Sequence, residues 1–184
     1  MKLYIMCLVF FFMTIISVNA QTYNEDIEGT AKLTNVELVE KDIVTKAALG
    51  DFGISTVKNT RNASIQGNSV FITQIGDFNA ALLNVKSRAS EINIEQNGDF
   101  NFTGLDYNVE TVITDIKQEG NRNVVFDIVQ DRTANISLDL EQQGSNLNFQ
   151  RLGSNSLTES LQFIQTEASP SLIIRSSTNG TPDN

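Results

Sequence analysis

The sequence contains no histidine, no tryptophan, one cysteine and two prolines among its 184 residues. The cysteine, Cys7, lies in an apolar N-terminal stretch, so the remainder of the chain cannot close a disulfide or supply a thiol nucleophile. Without histidine, the usual nucleophile–base pairs and zinc sites are also excluded. Both prolines, Pro170 and Pro182, lie near the C-terminus, which leaves a long proline-free segment suited to strand pairing.

Positive charge is also scarce, with 13 Lys and Arg against 22 Asp and Glu and a formal net charge of −9. This balance disfavours nucleic acid as a partner, because phosphates need cations opposite them. Calcium on Asp77 and Asp99 is conceivable, but the glycine–aspartate nonapeptide of calcium-binding β-rolls is absent. A solenoid enzyme of the polysaccharide-lyase type would need a carboxylate or basic cluster that the sequence lacks. We therefore expect no enzymatic activity, no cofactor and no metal site.

The first 20 residues predict a signal peptide. Lys2 precedes an apolar run over residues 3–18, and Val18-Asn19-Ala20 provides small residues at a cleavage site. An N-terminal membrane anchor is the alternative, but the following flank is acidic and has no stop-transfer cluster. No second long apolar run predicts a transmembrane helix. We expect an exported chain that starts near Gln21.

The central feature is a repeated phrase, best seen in "SEINIEQNGDFN" at residues 90–101. Its glutamine recurs at spacings of 22, 22 and 24 residues, as Gln74, Gln96, Gln118 and Gln142. A glycine stands two residues after each of these glutamines, as Gly76, Gly98, Gly120 and Gly144. In the first three copies an asparagine follows three residues later, as Asn79, Asn101 and Asn123. In the fourth, Asn146 and Asn148 straddle that position, which predicts a turn of changed length.

Before each glutamine, apolar and polar residues alternate with a period of two, as in Ile92, Ile94 and Gln96. This pattern predicts a strand with one buried face, and the Gly-x-x-Asn phrase that follows predicts a tight turn. A second apolar run then completes a strand-turn-strand unit. Because one unit cannot bury its own apolar face, we expect the units to stack roughly 4.8 Å apart. The predicted fold class is all-β, a β-solenoid or cross-β stack of repeats of about 22 residues.

The predicted organisation follows from these repeats. Residues 21–45 form a leader, which is either a secretion-targeting segment or a disordered acidic segment. The clear copies are 68–89, 90–111, 112–135 and 136–158, with degenerate copies at 46–67 and 159–168, the latter containing Gln165. Residues 169–184 hold a final strand, which could cover the last rung, and a tail.

Stacking explains why the glutamines are kept. A buried amide is costly unless its donors and acceptors are satisfied, and glutamines in register can bond to one another along the stack. We expect such a ladder from the residues Gln74, Gln96, Gln118, Gln142 and Gln165. Asn79, Asn101 and Asn123 would form a second ladder, and the glycines would hold the turns.

The phrase Ser-x-hydrophobic-x-hydrophobic-x-Gln-x-Gly-x-x-Asn resembles the curlin repeat of curli fibre subunits, and residues 90–101, beginning at Ser90, match it throughout. The resemblance covers roughly residues 68–165. It implies secretion through an outer-membrane curli pore of a Gram-negative bacterium. It also implies assembly outside the cell, with itself or another curlin subunit, into an amyloid fimbrium for adhesion and biofilm matrix.

Several positions depart from the family pattern. The usual glutamine of the second strand is replaced by Val85, Tyr107 and Val129. A uniform register would turn Asp127 inward without compensation, and Asp77 would stack on Asp99 as a like charge. These departures favour a minor or divergent subunit, such as a nucleator or adaptor. The alternative is a monomeric solenoid adhesin that binds a surface through its outer apolar residues Leu82, Phe102, Val124, Phe126 and Ile128.

Overall fold

A computed structural model describes residues 46–169 and 171–176. The expected signal peptide and leader, residues 1–45, lie outside the described residues, as does the expected tail from residue 177 onward. The described chain confirms the predicted fold class: it is a β-solenoid of about five stacked coils of about 22 residues. Successive coils pair in parallel, as expected when each coil repeats the path of the one before.

Each coil contributes a strand to each of two faces. The strands are β1 (Asn68–Ile75), β2 (Ala80–Ala81), β3 (Ala89–Asn97), β4 (Phe102–Thr103), β5 (Asp106–Glu119), β6 (Val124–Gln143), β7 (Asn148–Leu152), β8 (Ser160–Thr166) and β9 (Leu172–Arg175). The first face is ordered β1, β3, β5, β6 and β8, and the second is ordered β2, β4, β6, β7 and β9. β5 and β6 are long because each runs from the second face of one coil into the first face of the next.

The core lies between the two faces and is built from alternate residues of each strand. Ile92, Ile94, Ile116 and Leu140 are almost completely buried on the first face. Tyr107, Val125, Val129 and Phe149 fill the interior from the second face. Period-two alternation therefore places one side chain inward and the next outward along nearly every strand.

The register is 22 residues through the first coils, becomes 24 at one corner, and is 23 between the fourth and fifth coils. Val109 pairs with Asp131, whereas Thr111 pairs with Asn135, so two extra residues enter the chain between these pairs. The Asp131 carboxylate folds this insertion by accepting hydrogen bonds from the Thr133 N–H and hydroxyl. The prediction that the turn at 144–148 has a changed length is wrong, because Val124 pairs with Asn148 in the same register as Gln118 with Gln142.

Residues 46–67, here called the strap, do not form the degenerate rung predicted for them. They begin with a helical segment at 46–51, and Ser55 then forms an antiparallel bridge with Gln162 on the last strand of the first face. A 3-10 helix, Thr60–Ala63, follows, and Asn62 Nδ2 donates to the Ile136 carbonyl at 2.8 Å. The strap therefore closes the C-terminal end of the stack before the chain enters β1 at the opposite end.

The C-terminal strand belongs to the stack. β9 pairs in parallel with β7 from Phe149↔Leu172 to Leu152↔Arg175, so it is the second strand of the fifth coil. The sequence had suggested that this strand could cover the last rung. It instead forms part of that rung. The fifth coil is thus formed by β8 and β9.

Candidate functional site

The five glutamines lie directly above one another, and all but Gln74 of the first rung are buried. In each rung the Nε2 of the glutamine donates to the Oε1 of the next glutamine, at 2.6, 2.8, 2.8 and 2.9 Å from Gln74 through Gln165. The three central glutamines, Gln96, Gln118 and Gln142, are completely buried. The ladder is therefore continuous over all five coils.

The second N–H of the buried amides joins the two faces. Gln118 Nε2 donates to the Phe102 carbonyl of the preceding coil at 3.2 Å, and Gln142 Nε2 donates to the Val124 carbonyl at 3.3 Å. Gln118 Oε1 also accepts from the Thr103 hydroxyl at 2.7 Å. Since each buried amide has its donors and acceptor satisfied, the ladder fixes the register of the stack without an unsatisfied polar group.

The asparagines form a different kind of ladder. Asn101 N donates to Asn79 Oδ1 at 2.9 Å, and Asn79 Nδ2 donates to the Gly98 carbonyl at 2.7 Å. The same two bonds join Asn101 to the third coil, through Asn123 N and the Gly120 carbonyl. Each asparagine therefore bonds to the backbone of the next turn and not to the next amide.

In the fourth coil Leu147 occupies the asparagine position. Its N–H still donates to Asn123 Oδ1 at 3.1 Å, so the turn keeps its length and its first ladder bond. The left-handed residue of the turn precedes this position, as Phe78, Phe100, Arg122 and Asn146. The asparagines therefore each lie one position after the left-handed residue of their turn.

The turn glycines are required by the stacking distance. Gly98 has a φ of 124°, and a Cβ there would lie 2.1 Å from the Gly120 carbonyl oxygen. A Cβ at Gly76 or at Gly120 would likewise clash with the carbonyl oxygen of the glycine in the next turn. A side chain at these positions would force the turns apart, so the glycines allow the two ladders to run beside them.

Ser90, the first residue of the resemblance, also lies in the stack. Its hydroxyl donates to Asn68 Oδ1 in the preceding coil at 2.9 Å, and the two residues are paired in the register of β1 and β3. Val112 holds this position in the third coil. The structure thus brings together every ladder and turn residue suggested from the sequence, and Ser90 contributes one further bond between the first two coils.

Asp127 does face inward, but the expectation that it is uncompensated is wrong. Arg151 lies opposite it on the next coil, with Nε–Oδ1 and Nη2–Oδ2 distances of 2.6 and 2.5 Å, and both side chains are completely buried. Arg151 Nη1 also donates to the Thr158 carbonyl at 2.9 Å. The Tyr107 hydroxyl donates to Asp127 Oδ2, which completes a trio across three coils.

The trio shifts the titration of two of its members. Burial, and then the charge of Asp127, hold the pKa of the Tyr107 hydroxyl well above its ordinary value of 10.0. Burial alone would lower the pKa of Arg151, but the neighbouring Asp127 carboxylate outweighs this effect and raises it. The trio therefore keeps the Tyr107 hydroxyl protonated beside the Asp127–Arg151 ion pair.

Outward charges are arranged along the stack with less burial. Asp99 Oδ1 accepts from the Asp77 N–H at 2.8 Å, so the Asp99 carboxylate is held by the backbone of the preceding turn. Lys117 Nζ lies 2.7 Å from Glu119 and 3.4 Å from Glu141 on the outer face. These exposed pairs guide register only weakly, because surface ion pairs are screened by water.

Within the described ranges, no group of three or more Asp, Glu, His or Cys side chains is placed to hold a metal ion. Over the same residues, no helix has the length and apolar character needed to cross a membrane. No family model, curated protein or solved structure matches the chain.

Proposed function

We propose that the chain is a secreted, curli-like amyloid fibre subunit that contributes to cell-surface adhesion and biofilm matrix. The observation that supports this most is the glutamine ladder, which runs unbroken from Gln74 to Gln165. A ladder of this kind can be extended by further rungs, because each glutamine accepts a hydrogen bond from one neighbouring glutamine and donates one to the other. The curlin-like repeat at residues 90–101 adds the family resemblance.

The proposal is for a minor or divergent subunit, such as a nucleator or adaptor. The strap lies on β8 through the Ser55–Gln162 bridge, where a further subunit would otherwise pair. The buried ion pair of Asp127 and Arg151 also makes the third and fourth coils chemically unlike the others. The main subunit of a fibre would be expected to pair with further subunits at both ends and to have rungs of similar sequence.

The proposed partners are other curlin-like subunits and an outer-membrane curli secretion pore of a Gram-negative bacterium. The pore rests on the sequence resemblance and on the predicted signal peptide at residues 1–20, with residues 21–45 as the proposed targeting segment. The chain would then act outside the cell at its surface.

A second candidate is a monomeric solenoid adhesin, which the strap itself favours because it closes one end. Its binding face would be the outer apolar column, in which Leu82 and Phe126 are exposed and the rings of Phe102 and Phe126 stack at 6.0 Å. Such a protein would bind a surface as single molecules.

Fibre formation by purified residues 21–184, followed by thioflavin T fluorescence and electron microscopy, separates the two candidates. The fibre proposal expects fibrils, or acceleration of fibril growth by a curlin subunit. A matched pair of isosteric changes tests the ladder: Gln118→Glu should abolish the effect, whereas Glu119→Gln on the outer face should preserve it. A chain that stays monomeric for days and does not seed a curlin would contradict the fibre proposal.

A further inference from the structure

Over the residues that the structure describes, the two ends of the stack are not equivalent, and the N-terminal end is open. Among the described strands, β1 pairs only with β3. Val70 and Ile72 are 46% and 45% exposed, although Ile92 and Ile94 at the same positions of the next rung are completely buried. The first rung therefore presents core side chains that no described residue covers.

The open rung also presents backbone groups. Ser90 N donates to the Gly67 carbonyl and Gly98 N donates to the Ile75 carbonyl, so the odd-numbered residues of β1 direct their backbone groups towards β3. In a parallel ladder, alternate residues direct theirs to the opposite edge. The N–H and C=O of Val70 and Ile72 consequently point to the open edge, where another strand can pair.

The hydrogen-bond acceptors at the turn of the first rung determine which residues a strand docking there must carry. Along the ladder, each glutamine Oε1 accepts from the glutamine of the preceding rung, and each turn-glycine carbonyl accepts from the preceding asparagine, as Gly98 does from Asn79. For Gln74 and Gly76, no preceding rung exists among the described residues. A rung with a glutamine, and with an asparagine five residues after it, would supply both missing donors.

A second copy of this chain does not supply that rung. Its last rung carries Gln165, but the sequence has Glu167 at the glycine position and Pro170 at the asparagine position, and proline has no amide to donate. The same end is closed by the strap, since Ser55 and Gln162 exchange both backbone hydrogen bonds at 2.8 and 2.9 Å. Ile54, which precedes Ser55, is only 5% exposed.

We infer that the first rung, formed by β1 and the turn at 74–79, is a docking surface for a rung of a different protein that carries Gln-x-Gly-x-x-Asn. The chain would engage a partner at this end only. The inference names the partner of the proposed fibre subunit and rests on that proposal for its biological setting. Its chemistry depends only on the open rung, so it can be tested without fibres.

A labelled peptide with the sequence of residues 90–105 is a direct probe, because it contains strand, turn and second strand of one complete rung. Fluorescence anisotropy with residues 21–184 should show saturable binding of one peptide per chain. The same peptide carrying Gln96→Glu and Asn101→Asp lacks both amide donors and should bind at least tenfold more weakly. Equal binding of the two peptides, or two peptides per chain, would overturn the inference.

Changes in the protein locate the peptide. Ile72→Pro removes an N–H from the open edge without removing a bond to β3, so it should reduce binding at least tenfold, whereas Ile72→Val should not. Val70→Lys places a charge on the open rung and is the second variant if Ile72→Pro unfolds β1. Circular dichroism checks the fold, and unchanged peptide binding by correctly folded variants would contradict the proposed location.

Other occupants of the rung give distinct results. Concentration-dependent dimers in sedimentation, competing with the peptide, would show that a second copy docks there and would overturn the inference. Absence of peptide binding by monomeric protein would also overturn it. The fibre proposal fails separately: a chain that binds the peptide but neither forms nor seeds fibrils keeps the docking surface and loses the proposed function.

Discussion

Asp127 and Arg151 face each other on neighbouring coils and form a two-point ion pair inside the solenoid, with both side chains completely buried. At the same inward position the second coil carries Leu105 and the fifth carries Ile174, so the pair interrupts an otherwise apolar column. Because a charge on one coil needs its partner on the next, the pair ties the third coil to the fourth in one register.

Asp127→Asn should therefore destabilise the fold strongly. The change leaves the Arg151 charge buried without a counter-charge, and losing one partner of a buried pair costs about 3–5 kcal/mol. Urea unfolding followed by circular dichroism measures the free energy. Asp139→Asn on the outer face of the same strand is the control, since the amide oxygen can still accept from Gln162. Equal stability of the two variants would show that the pair does not hold the coils together.

Alkaline pH should destabilise the protein through Tyr107. Its pKa is raised in the fold, chiefly by burial, so the folded state keeps its proton while the unfolded state loses it near pH 10.0. The stabilisation is complete below pH 10.0 and is lost as the pH rises towards the folded pKa. Denaturant unfolding between pH 8 and 11 checks this, and Tyr107→Phe should flatten the dependence although it removes the bond to Asp127.

The same titration has a spectroscopic signature. Tyr107 and Tyr23 are the tyrosines of residues 21–184, so Tyr23→Phe leaves the absorbance of tyrosinate to report on Tyr107 alone. We expect tyrosinate to appear together with unfolding and not before it. Ionisation of Tyr107 in a fully folded protein near pH 10 would contradict the buried trio.

The features shared by all copies, namely the strands, their stacking and their register, could be predicted from the sequence. The buried Asp127–Arg151 pair, which occurs in one place, could not. Alternation and the spacing of Gln74, Gln96 and Gln118 are enough for strands, parallel stacking and register, because each copy must match the next. Arg151 was missed because the turn of the fourth copy was predicted to have a changed length, so residue 151 was not matched to Asp127. The two extra residues enter between Asp131 and Asn135 and the turn keeps its length, which places Arg151 opposite Asp127.

The position of the strap could not be predicted either, because it also depends on contacts that no repeat contains. Its contacts join Ser55 to Gln162 and Asn62 to Ile136, residues far apart in sequence that share no repeated pattern. The phrase "GDFG" at 50–53 resembles a turn of the repeat, but no strand alternation precedes it. Local similarity alone therefore suggested a rung where the chain instead closes the end of the stack.

The position of a glutamine in the ladder should set the effect of removing it. Gln118→Leu leaves the amide of Gln96 without its acceptor and Gln142 without its donor, and each buried unsatisfied group costs about 1–3 kcal/mol. Gln74→Leu at the exposed first rung affects only one neighbour, so its effect should be smaller. Thermal and urea unfolding of the two variants compare them. Equal losses at both positions would argue against a ladder that stabilises through burial.

Gly98→Ala should destabilise the turns. The alanine must adopt a φ of 124° with its Cβ 2.1 Å from the Gly120 oxygen, so the adjacent turns must separate. We expect a loss of about 2 kcal/mol or more, since an incompatible backbone and a lost close contact act together. Gly50→Ala is the control, because a Cβ at Gly50 would have no other atom within 4 Å and this residue belongs to the helical segment at 46–51. A stable Gly98→Ala variant would mean that the turns do not stack this closely.

Opening the strap should expose the last strand of the first face without unfolding the first coils. Ile54 is 5% exposed and belongs to the core cluster, so Ile54→Asp should release Ser55 from Gln162 because a buried unpaired charge is unfavourable. Hydrogen exchange followed by mass spectrometry should then show faster exchange around Gln162, with exchange in β3 unchanged. Val57→Asp in the same segment is the matched control, because Val57 is 81% exposed. Unchanged exchange at Gln162 in the Ile54→Asp variant would show that the strap does not protect this edge, and the stack would then have two open ends.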